Sequence, residues 1–497
     1  MEPQFIPSRT EFRDLTQRGN VIPVYADLIA DSETPVSAFS KLDRGGCSFL
    51  FESTEKNDVS GRFSFVGTDP RIVIRSRDDE IEITERSETR KFRSSSDPLS
   101  ELRHLMAQYQ FVARPELPRF VGGAVGFLGY DATRFFEPTV PAAERDDLNL
   151  PEMLFMITGA VLIFDHRLRT VRILNNAFLT PGDDTDKTYD DACKGICDIL
   201  ERLKLPENLP PLDIHRPITP LAGRSNMSRE EFERSVNQTK DYITRGDIFQ
   251  LVLSRRVEVD FNKDPLGLYR CLRFVNPSPY MFCLNFGAGF SLVGSSPEMH
   301  VRAVDGLVEI RPIAGTRKRG QTQDEDEQNA LELLADAKER AEHVMLLDLA
   351  RNDVGRIAQF GSVRVTEKMD IERYSHVMHI ASHVVARLRA DKDAYDVLRA
   401  TFPAGTVSGA PKVRAMQLIC DLEKNKRGCY AGVVGYFGFD GNLDSCITLR
   451  SIVLKNRKAY IQAGAGIVAD STPAGEYDET ENKAAAMMQA LQMASDD

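Results

Sequence analysis

A proline-rich stretch near the middle of the chain limits how its 497 residues can fold. Five prolines fall between Leu205 and Ser225, and a proline continues neither a helix nor a central strand. They are Pro206, Pro210, Pro211, Pro217 and Pro220. Directly after this stretch, Ser228 and Glu231 have the spacing of a helix capping box. We therefore expect a linker at 206–226, between an N-terminal domain at 1–205 and a C-terminal domain at 227–497.

Strand patterns occur on both sides of this linker. Polar and apolar residues alternate over Arg71–Arg75 and Glu80–Thr84, which predicts two half-exposed strands. The glycine-rich segment Gly123–Asp131 shares five identities with Gly432–Asp440. Two similar strands, one in each domain, would explain this sequence similarity. Glycine-rich apolar strands also resemble each other through their composition alone. The sequence leaves both explanations open.

Charge and composition exclude several classes of protein. The formal net charge is −11, so no overall positive field favours nucleic acid or a membrane of anionic lipids. Hydrophobic residues make up 42% and charged residues 28%, as is typical of a globular enzyme. The first residues lack the basic and apolar regions of a signal peptide, and the eight cysteines form no CxxC pair. We expect a cytoplasmic protein with reduced thiols.

Two pairs of carboxylates lie on two predicted helices. Glu339 and Glu342 are three residues apart and share one helix face, as do Glu476 and Glu479 in a helix that can begin at Pro473. If the two faces meet, four carboxylates converge, and such a cluster repels itself unless a cation lies within it. Oxygen ligands of this kind suit Mg²⁺, and two solvated acidic faces are the simpler alternative.

Three short segments are suited to an anion, which in an acidic chain needs a local basic pocket. Ser408–Lys412 begins with a candidate helix N-cap serine, and the predicted helix start would offer free backbone N–H groups. Gln462–Ala469 reads as a small-residue loop after a strand, and Arg311–Arg317 as a basic turn. Arg450 follows an alternating strand, where its guanidinium can pair with a carboxylate.

Several motifs, taken together and in order, resemble those of the chorismate-utilising enzymes over about residues 228–490. They are Ser296–Glu298, Arg311–Thr316, Glu342–Asp353, Thr406–Lys412 and Asp478–Lys483. Within that family the chain most resembles the large components of anthranilate synthases, because its N-terminal half also carries their features. The resemblance implies an α+β fold of two domains, with layered antiparallel sheets and helices. It also implies a Mg²⁺-dependent enzyme that forms anthranilate and pyruvate from chorismate.

The resemblance gives roles to single residues. Glu342 and Glu479 would bind Mg²⁺ directly, with Glu339 and Glu476 as the neighbouring pair. Chorismate would be bound at Gly315, Thr316, Tyr430, Arg450, Gly464, Ala465, Gly466 and Lys483. The catalytic positions would be Glu298, His379, Thr406 and Gln250. Glu298 would protonate the departing hydroxyl, which requires a raised pKa. His379 would act in the loss of pyruvate, with a purely structural role in the core as the alternative.

Two positions distinguish between reactions of the family. Relatives that add water to chorismate carry a lysine general base where this chain has Gln250. Since glutamine cannot deprotonate water, the incoming nucleophile should already be a base, such as ammonia. Aminodeoxychorismate synthases carry a lysine nucleophile at the position of Ala314, which can form no covalent adduct. Both positions favour anthranilate synthesis over the formation of isochorismate, salicylate or aminodeoxychorismate.

The N-terminal half resembles the regulatory half of the same enzymes. Its tryptophan site would comprise Glu52, Ser53, Pro279, Tyr280 and Met281. Phe51 stands where leucine is usual in the family. Its bulkier side chain would weaken the binding of tryptophan if space in the site is tight. An alternative outside the enzymes is a catalytically silent tryptophan-binding or regulatory subunit that keeps only the fold. The four retained glutamates of the two pairs, together with Glu298 and His379, disfavour it.

A partner subunit is expected to supply the nitrogen. The chain contains no Gly-x-Cys-x-Gly nucleophile elbow, so nothing in it is suited to hydrolyse glutamine. The resemblance implies that a glutamine amidotransferase, the second component of anthranilate synthase, delivers ammonia within a heterodimer or heterotetramer.

Overall fold

The computed structural model describes residues 3–29, 31–53, 61–206, 209–215, 219–287, 289–373 and 377–495. Its strands are, in chain order, β1 (Val21–Ile29), β2 (Cys47–Glu52), β3 (Phe63–Thr68), β4 (Ile72–Arg77), β5 (Glu80–Glu85), β6 (Glu88–Arg93), β7 (Gly123–Leu128), β8 (Met153–Ile157), β9 (Ala160–Asp165), β10 (Thr170–Phe178), β11 (Gly223–Ser225), β12 (Gln250–Asp260), β13 (Tyr280–Phe286), β14 (Ser291–Ser296), β15 (Met299–Val304), β16 (Leu307–Ile310), β17 (Ile313–Lys318), β18 (Arg364–Arg373), β19 (Val377–Arg387), β20 (Gly409–Ala410), β21 (Val433–Gly438), β22 (Leu443–Ile447), β23 (Ser451–Lys455) and β24 (Lys458–Ile467). Its α-helices are α1 (Arg9–Leu15), α2 (Pro35–Leu42), α3 (Pro98–Met106), α4 (Thr133–Phe136), α5 (Thr185–Leu203), α6 (Arg229–Thr244), α7 (Pro265–Val275), α8 (Gln323–Ala335), α9 (Ala337–Gly355), α10 (Ala394–Thr401), α11 (Lys412–Glu423) and α12 (Pro473–Ser495).

The strands form two sheets of twelve strands each, and within the described ranges every strand pairing in them is antiparallel. The first sheet has the order β1-β10-β9-β3-β2-β13-β14-β23-β24-β12-β11, with β20 paired to β12. The second has the order β17-β19-β16-β15-β22-β21-β7-β8-β4-β5-β6, with β18 paired to β19. The predicted α+β class of layered antiparallel sheets is confirmed.

Each sheet combines strands from both sides of the proline-rich stretch. Two pairings join the halves, β2 with β13 in the first sheet and β7 with β21 in the second. In the second of these seams, Gly126 lies opposite Gly435, so the two similar glycine-rich segments are direct neighbours in one sheet. The predicted linker contains β11, and its residues 207–208 and 216–218, including Pro217, lie outside the described residues. The division into domains at 206–226 stays a prediction.

The core lies in three layers because successive strand residues point to opposite faces. In β2, Phe49 belongs to the core between the two sheets, and Leu50 to the core under α2, α5, α7 and α12. In β21, Val434 packs between the sheets, whereas Val433 packs on the far side with α9 and α10. The molecule is therefore layered as helices, sheet, sheet and helices.

Several local predictions can be compared with the structure. The capping box of Ser228 and Glu231 starts α6, and α12 begins at Pro473, as predicted. Ser408 was expected to cap a helix, and this is wrong: Pro411 occupies the N-cap of α11, while the Ser408 hydroxyl donates to the carbonyl of Ala404 at 2.8 Å. The eight cysteines form no disulfide. No described helix combines the length and apolarity that crossing a membrane requires.

Candidate active site

The predicted site residues meet where the edges of the two sheets come together. The first sheet contributes β12 and β24, the second contributes β17 and β19, and α9 and α12 begin beside them. The side chain of Gln250 on β12 donates to Glu342 on α9 at 3.1 Å. A Cβ on Gly315 of β17 would lie 3.0 Å from Oε2 of Glu339, so α9 contacts both sheets here.

Glu298 stands between β14 and β15, in a turn tied to β22. The amide of Ile447 donates to the carbonyl of Glu298 at 3.0 Å, and the Ser296 hydroxyl donates to the carbonyl of Ile447 at 2.6 Å. Burial raises the pKa of Glu298 to about 7, against smaller lowering effects of Thr406 and Lys483. The Thr406 hydroxyl lies close to this carboxyl without the geometry of a full hydrogen bond. A carboxyl in this environment can hold and donate a proton near neutral pH.

His379 lies on β19 and faces the backbone of β17. Its Nδ1–H donates to the carbonyl of Gly315 at 2.8 Å, and the Thr316 hydroxyl lies 3.1 Å from the same nitrogen. This contact leaves the lone pair of a neutral ring on Nε2. Burial lowers the pKa of His379 and Arg450 adds to the effect, while the Gly315 carbonyl opposes it. The imidazole is therefore a neutral base beside a cation.

The two glutamate pairs occupy the first turns of α9 and α12 or follow directly after them. Burial raises the pKa of Glu339, and the charge of Glu342 adds to the rise. Burial also raises the pKa of Glu476, with a further contribution from Glu479. Lys338 of α9 is near enough to act on Glu476, which places the starts of the two helices near each other.

The donor chemistry of these pairs fits a hard cation. Oε2 of Glu476 is buried and makes no full hydrogen bond, although Ser471 lies near enough to lower the pKa of this carboxyl. Across the residues that the structure describes, however, no three histidine, cysteine, aspartate or glutamate side chains lie close enough to hold a metal ion together. A Mg²⁺ site does not require three such side chains, because it often takes only one or two carboxylates from the protein and completes its shell with water and substrate.

Gly464, Ala465 and Gly466 belong to β24, so the prediction of a loop at Gln462–Ala469 is wrong for most of that segment. The strand pairs along β12, which the sequence pattern alone could not indicate. Small residues are needed here because a Cβ on Gly464 would lie 2.7 Å from the Tyr430 hydroxyl. A Cβ on Gly466 would lie 2.8 Å from the Gln250 amide nitrogen.

Two cations lie near the small residues Gly464, Ala465 and Gly466 of β24, which we call the floor of the site. Lys483 donates to the carbonyl of Gly464 at 3.0 Å and pairs with Glu479 at 2.6 Å. Arg450 is half-buried, makes no salt bridge with any described residue, and has a left-handed backbone with φ of 48°. Such a backbone is strained for a residue with a side chain, and strain of this kind concentrates at functional sites. Burial lowers the pKa of Arg450, and Tyr430 and Glu479 oppose the effect.

Apart from the active site, a cavity of about 150 Å³ lies between the sheets, where β2 pairs with β13. We call it the seam cavity. All five residues predicted for a tryptophan site line it, namely Glu52, Ser53, Pro279, Tyr280 and Met281. Phe51 forms part of the same wall. The Glu52 carboxylate is already occupied, because it accepts from the Tyr269 hydroxyl at 2.6 Å and pairs with Arg273 at 3.2 Å.

An ion pair that no sequence pattern indicated, Arg302 with Asp444, belongs to the lining of the seam cavity. Arg302 donates to Asp444 at 3.0 Å, and the Tyr280 hydroxyl donates to the other oxygen of Asp444 at 3.1 Å. Arg302 and Asp444 lie opposite each other on β15 and β22. A charged residue in each of two strands was the only local signal, and it could not indicate that the strands pair across more than a hundred residues.

Comparison with known proteins agrees with this arrangement. A family model described as a chorismate binding enzyme matches residues 47–489. The chain belongs to this family. This family member is 46% identical to anthranilate synthase component 1 of Acetivibrio thermocellus over 497 residues, with 99% of each chain covered. It is also 46% identical to the protein of the same name from Aquifex aeolicus over 490 residues, with 98% of each covered.

Solved structures place the fold in the same family. Anthranilate synthase component I from Streptococcus pneumoniae is 36% identical and superposes with a TM-score of 0.77, over 93% of this chain and 98% of that one. The menaquinone-specific isochorismate synthase of Escherichia coli superposes with a TM-score of 0.72 over 97% and 98% of the two chains. At 18% identity, this second likeness shows the shared fold alone.

Proposed function

We propose that this family member is the large component of an anthranilate synthase, a lyase that converts chorismate and ammonia to anthranilate and pyruvate. The observation that carries the proposal is a site that holds both Arg450, which forms no salt bridge with the described residues, and Glu298, a carboxyl with a pKa of about 7. Chorismate is a dianion with a ring hydroxyl to be displaced, so it requires both a cation and a general acid. The naming of the full-length relatives supports anthranilate as the product.

Each residue then has a task that follows from its chemistry. Arg450 and Lys483 would hold the substrate carboxylates over the small residues of β24. Ammonia would add to the ring as Glu298 gives its proton to the departing hydroxyl, which leaves as water. In the second step a ring proton would be lost and the ether bond to the enolpyruvyl group would break, and the departing enolpyruvate would take up a proton at its methylene carbon to give pyruvate. The neutral His379 is the base that we assign to the ring proton.

Gln250 and Ala314 set this reaction apart from those of relatives that use a lysine at either position. Gln250 is held by its hydrogen bond to Glu342, and it can neither activate water nor bond to the ring. The rival proposals are an isochorismate, salicylate or aminodeoxychorismate synthase, and the identity of the product distinguishes all of them.

Mg²⁺ is the cofactor that we propose for the site, with Glu342 and Glu479 as ligands and Glu339 and Glu476 beside them. When bound, the ion would neutralise a carboxylate of the substrate. The buried Oε2 of Glu476, which makes no full hydrogen bond, and the raised pKa values of Glu339 and Glu476 support this proposal, because a cation would relieve both. Glu342→Gln should abolish turnover while α9 stays folded, and full activity in excess chelator would refute the metal requirement.

We also propose that the seam cavity binds tryptophan as a feedback inhibitor. Support comes from the meeting of all five predicted residues at one cavity with aromatic walls. The charged groups in its lining, which could face the ligand's own charges, are Glu52, Arg302, Arg311, Glu372 and Asp444.

The test of the function is an assay of the purified chain with chorismate, Mg²⁺ and a nitrogen source. We expect anthranilate with an ammonium salt, at a rate that rises with pH up to about 7 as the fraction of free ammonia grows and levels off above it, where Glu298 loses its proton. Glutamine should support turnover only after a glutamine amidotransferase subunit is added. A chain that uses glutamine alone as well as ammonia would show that the division between subunits is wrong, and a product other than anthranilate would refute the function itself.

A further inference from the structure

A fully buried ion pair lies beside the active site, outside the residues that we propose to contact substrate. It joins Glu423, the last residue of α11, to Arg427, and their side chains are 4% and 1% exposed. The contact is bidentate: Nε of Arg427 donates to Oε2 of Glu423 at 2.8 Å, and Nη2 donates to Oε1 at 2.6 Å. Two parallel hydrogen bonds of this kind fix the orientation of the guanidinium plane.

The remaining hydrogen bonds of the pair go to segments that carry active-site residues. Nη1 of Arg427 donates to the carbonyl of Val407 at 2.7 Å, and Nη2 donates to the carbonyl of Val252 at 2.8 Å. Val407 directly follows Thr406, and Val252 lies two residues after Gln250 on β12. Oε1 of Glu423 also accepts from the Ser254 amide at 2.7 Å, which anchors the same strand a second time.

The guanidinium also packs against two tyrosine rings. It lies 4.4 Å from the ring centre of Tyr130 and 5.6 Å from that of Tyr430. Tyr430 is the ring whose hydroxyl contacts the floor at Gly464. One side chain thus contacts the turn that carries Thr406, the strand that carries Gln250, and Tyr430 itself.

Stability alone does not account for this pair. Removing two charges from water costs about as much as their attraction returns, and apolar side chains of the same volume often replace such pairs without loss. A buried bidentate pair fixes the positions of the groups around it, because each of its hydrogen bonds requires its partner at a set distance and angle. Apolar side chains impose no such requirement.

We propose that the Glu423–Arg427 pair is a positioning element of the reaction, which holds the Thr406 turn and β12 in register so that Glu298 and Gln250 face the same substrate. The proposal rests on the proposed function. Arg427 touches no substrate and acts through the segments that it binds. In its absence the Thr406 hydroxyl would move from the Glu298 carboxyl, and the two ends of the site would no longer be held at one spacing.

The test compares Arg427→Lys with a matched control, Arg172→Lys. Arg172 makes the same kinds of contact at a distance from the site: two hydrogen bonds to Asp27 at 2.6 and 2.8 Å, one to the Glu116 carbonyl at 3.1 Å, and a tyrosine ring at 4.3 Å. Lysine keeps the charge, but its single nitrogen has three N–H groups and cannot make the four hydrogen bonds that Arg427 makes from three nitrogens. We expect Arg427→Lys to lower kcat/KM for chorismate by about 10- to 100-fold, mainly through kcat, and the control to stay within about twofold.

A pH profile separates positioning from general weakening. The Thr406 hydroxyl holds down the pKa of Glu298, so its displacement should move the alkaline limb of kcat to higher pH when free ammonia is held constant. A variant that is merely less stable would keep the parental profile. If Arg427→Lys does not fold, Glu423→Gln decides, because glutamine keeps the shape and can still accept from the Ser254 amide; we expect the same shift with a smaller loss of rate.

The positioning role would be overturned if Arg427→Lys kept the parental rate and pH profile. Where that variant does not fold, the same result in Glu423→Gln would overturn it. The proposed function would stand in either case. A loss of rate with an unshifted profile would also overturn the positioning role. A parent chain that forms no anthranilate from chorismate and ammonia would instead refute the proposed function, and the positioning role with it.

Discussion

The active site and the seam cavity differ in the parts of the chain that build them. The residues assigned to the active site lie between Gln250 and Lys483, all after the proline-rich stretch. The seam cavity needs both halves, since Glu52 of β2 lies opposite Met281 of β13. The active site holds Arg450, which pairs with no described carboxylate, whereas the seam cavity is lined by aromatic rings and by the ion pairs Arg302–Asp444 and Arg311–Glu372.

The two sites are nevertheless only one residue apart. Pro297 and Met299 line the seam cavity, and Glu298 between them carries the proposed catalytic carboxyl. One short segment therefore forms part of a wall of both sites. If a ligand bound in the seam cavity moved Pro297 or Met299, the backbone would transmit that displacement directly to Glu298.

The largest expected effect that separates the two sites is that of Glu298→Gln. Glutamine fills the same space but cannot give a proton to the departing hydroxyl, so kcat should fall by about 10²- to 10⁴-fold. Tryptophan binding, measured by calorimetry, should stay at the parental value because Glu298 does not line the seam cavity. A variant that retains most of its turnover would remove Glu298 from its role.

Arg450→Gln should have the next largest effect. It removes a cation that forms no salt bridge with the described residues, and charge-assisted hydrogen bonds contribute about 1.5–3 kcal/mol, so the KM for chorismate should rise about 10- to 100-fold. Steady-state kinetics with ammonia would measure this, with tryptophan affinity as the internal control. An unchanged KM would mean that the substrate is held elsewhere.

Much of this molecule could be predicted from local patterns. The start of α12, the capping box of α6 and the strands β4 and β5 follow from spacing and alternation, which act within a few residues. The glutamate pairs and Glu298 were found through their motifs. These features share one property: their signal lies in a short segment of sequence.

The rest depends on contacts between distant segments. The carbonyls of Val252 and Val407, which Arg427 binds, have no side-chain signature, so nothing in the sequence indicated the Glu423–Arg427 pair. β24 resembled a loop because its glycines have low strand propensity, and its pairing with β12 outweighs that propensity. The two seams likewise join residues more than two hundred positions apart, where periodicity carries no information.

Glu298→Gln should also stabilise the fold at neutral and alkaline pH. The pKa of Glu298 is about 7 in the folded chain and near 4.5 when unfolded, so the unfolded state releases its proton first as pH rises. Glu298 therefore lowers the free energy of unfolding increasingly between those two values. Because the residue is only half-buried, we expect the variant to gain about 1–2 kcal/mol at pH 8 and little near pH 4.5. Urea unfolding at both pH values measures the difference, and an equal gain at both would contradict the assigned pKa.

Phe51→Leu should have the smallest effect and act on the seam cavity alone. Phe51 packs at 5.4 Å from the Phe49 ring, and a smaller side chain would widen the wall. Relief of overpacking worth about 1 kcal/mol corresponds to a gain in tryptophan affinity of about fivefold. Calorimetry on parent and variant measures it. If neither binds tryptophan, the seam cavity is not an inhibitor site.

The most direct test of the account is the fate of labelled nitrogen in the product. The purified chain would be incubated with chorismate, Mg²⁺ and a ¹⁵N-ammonium salt, and the products analysed by mass spectrometry, with His379→Met in parallel. We predict ¹⁵N-labelled anthranilate and pyruvate from the parent, and a labelled, non-aromatic amino intermediate that accumulates in His379→Met. An unlabelled hydroxylated isomer of chorismate from the parent, or no product at all, would contradict the account.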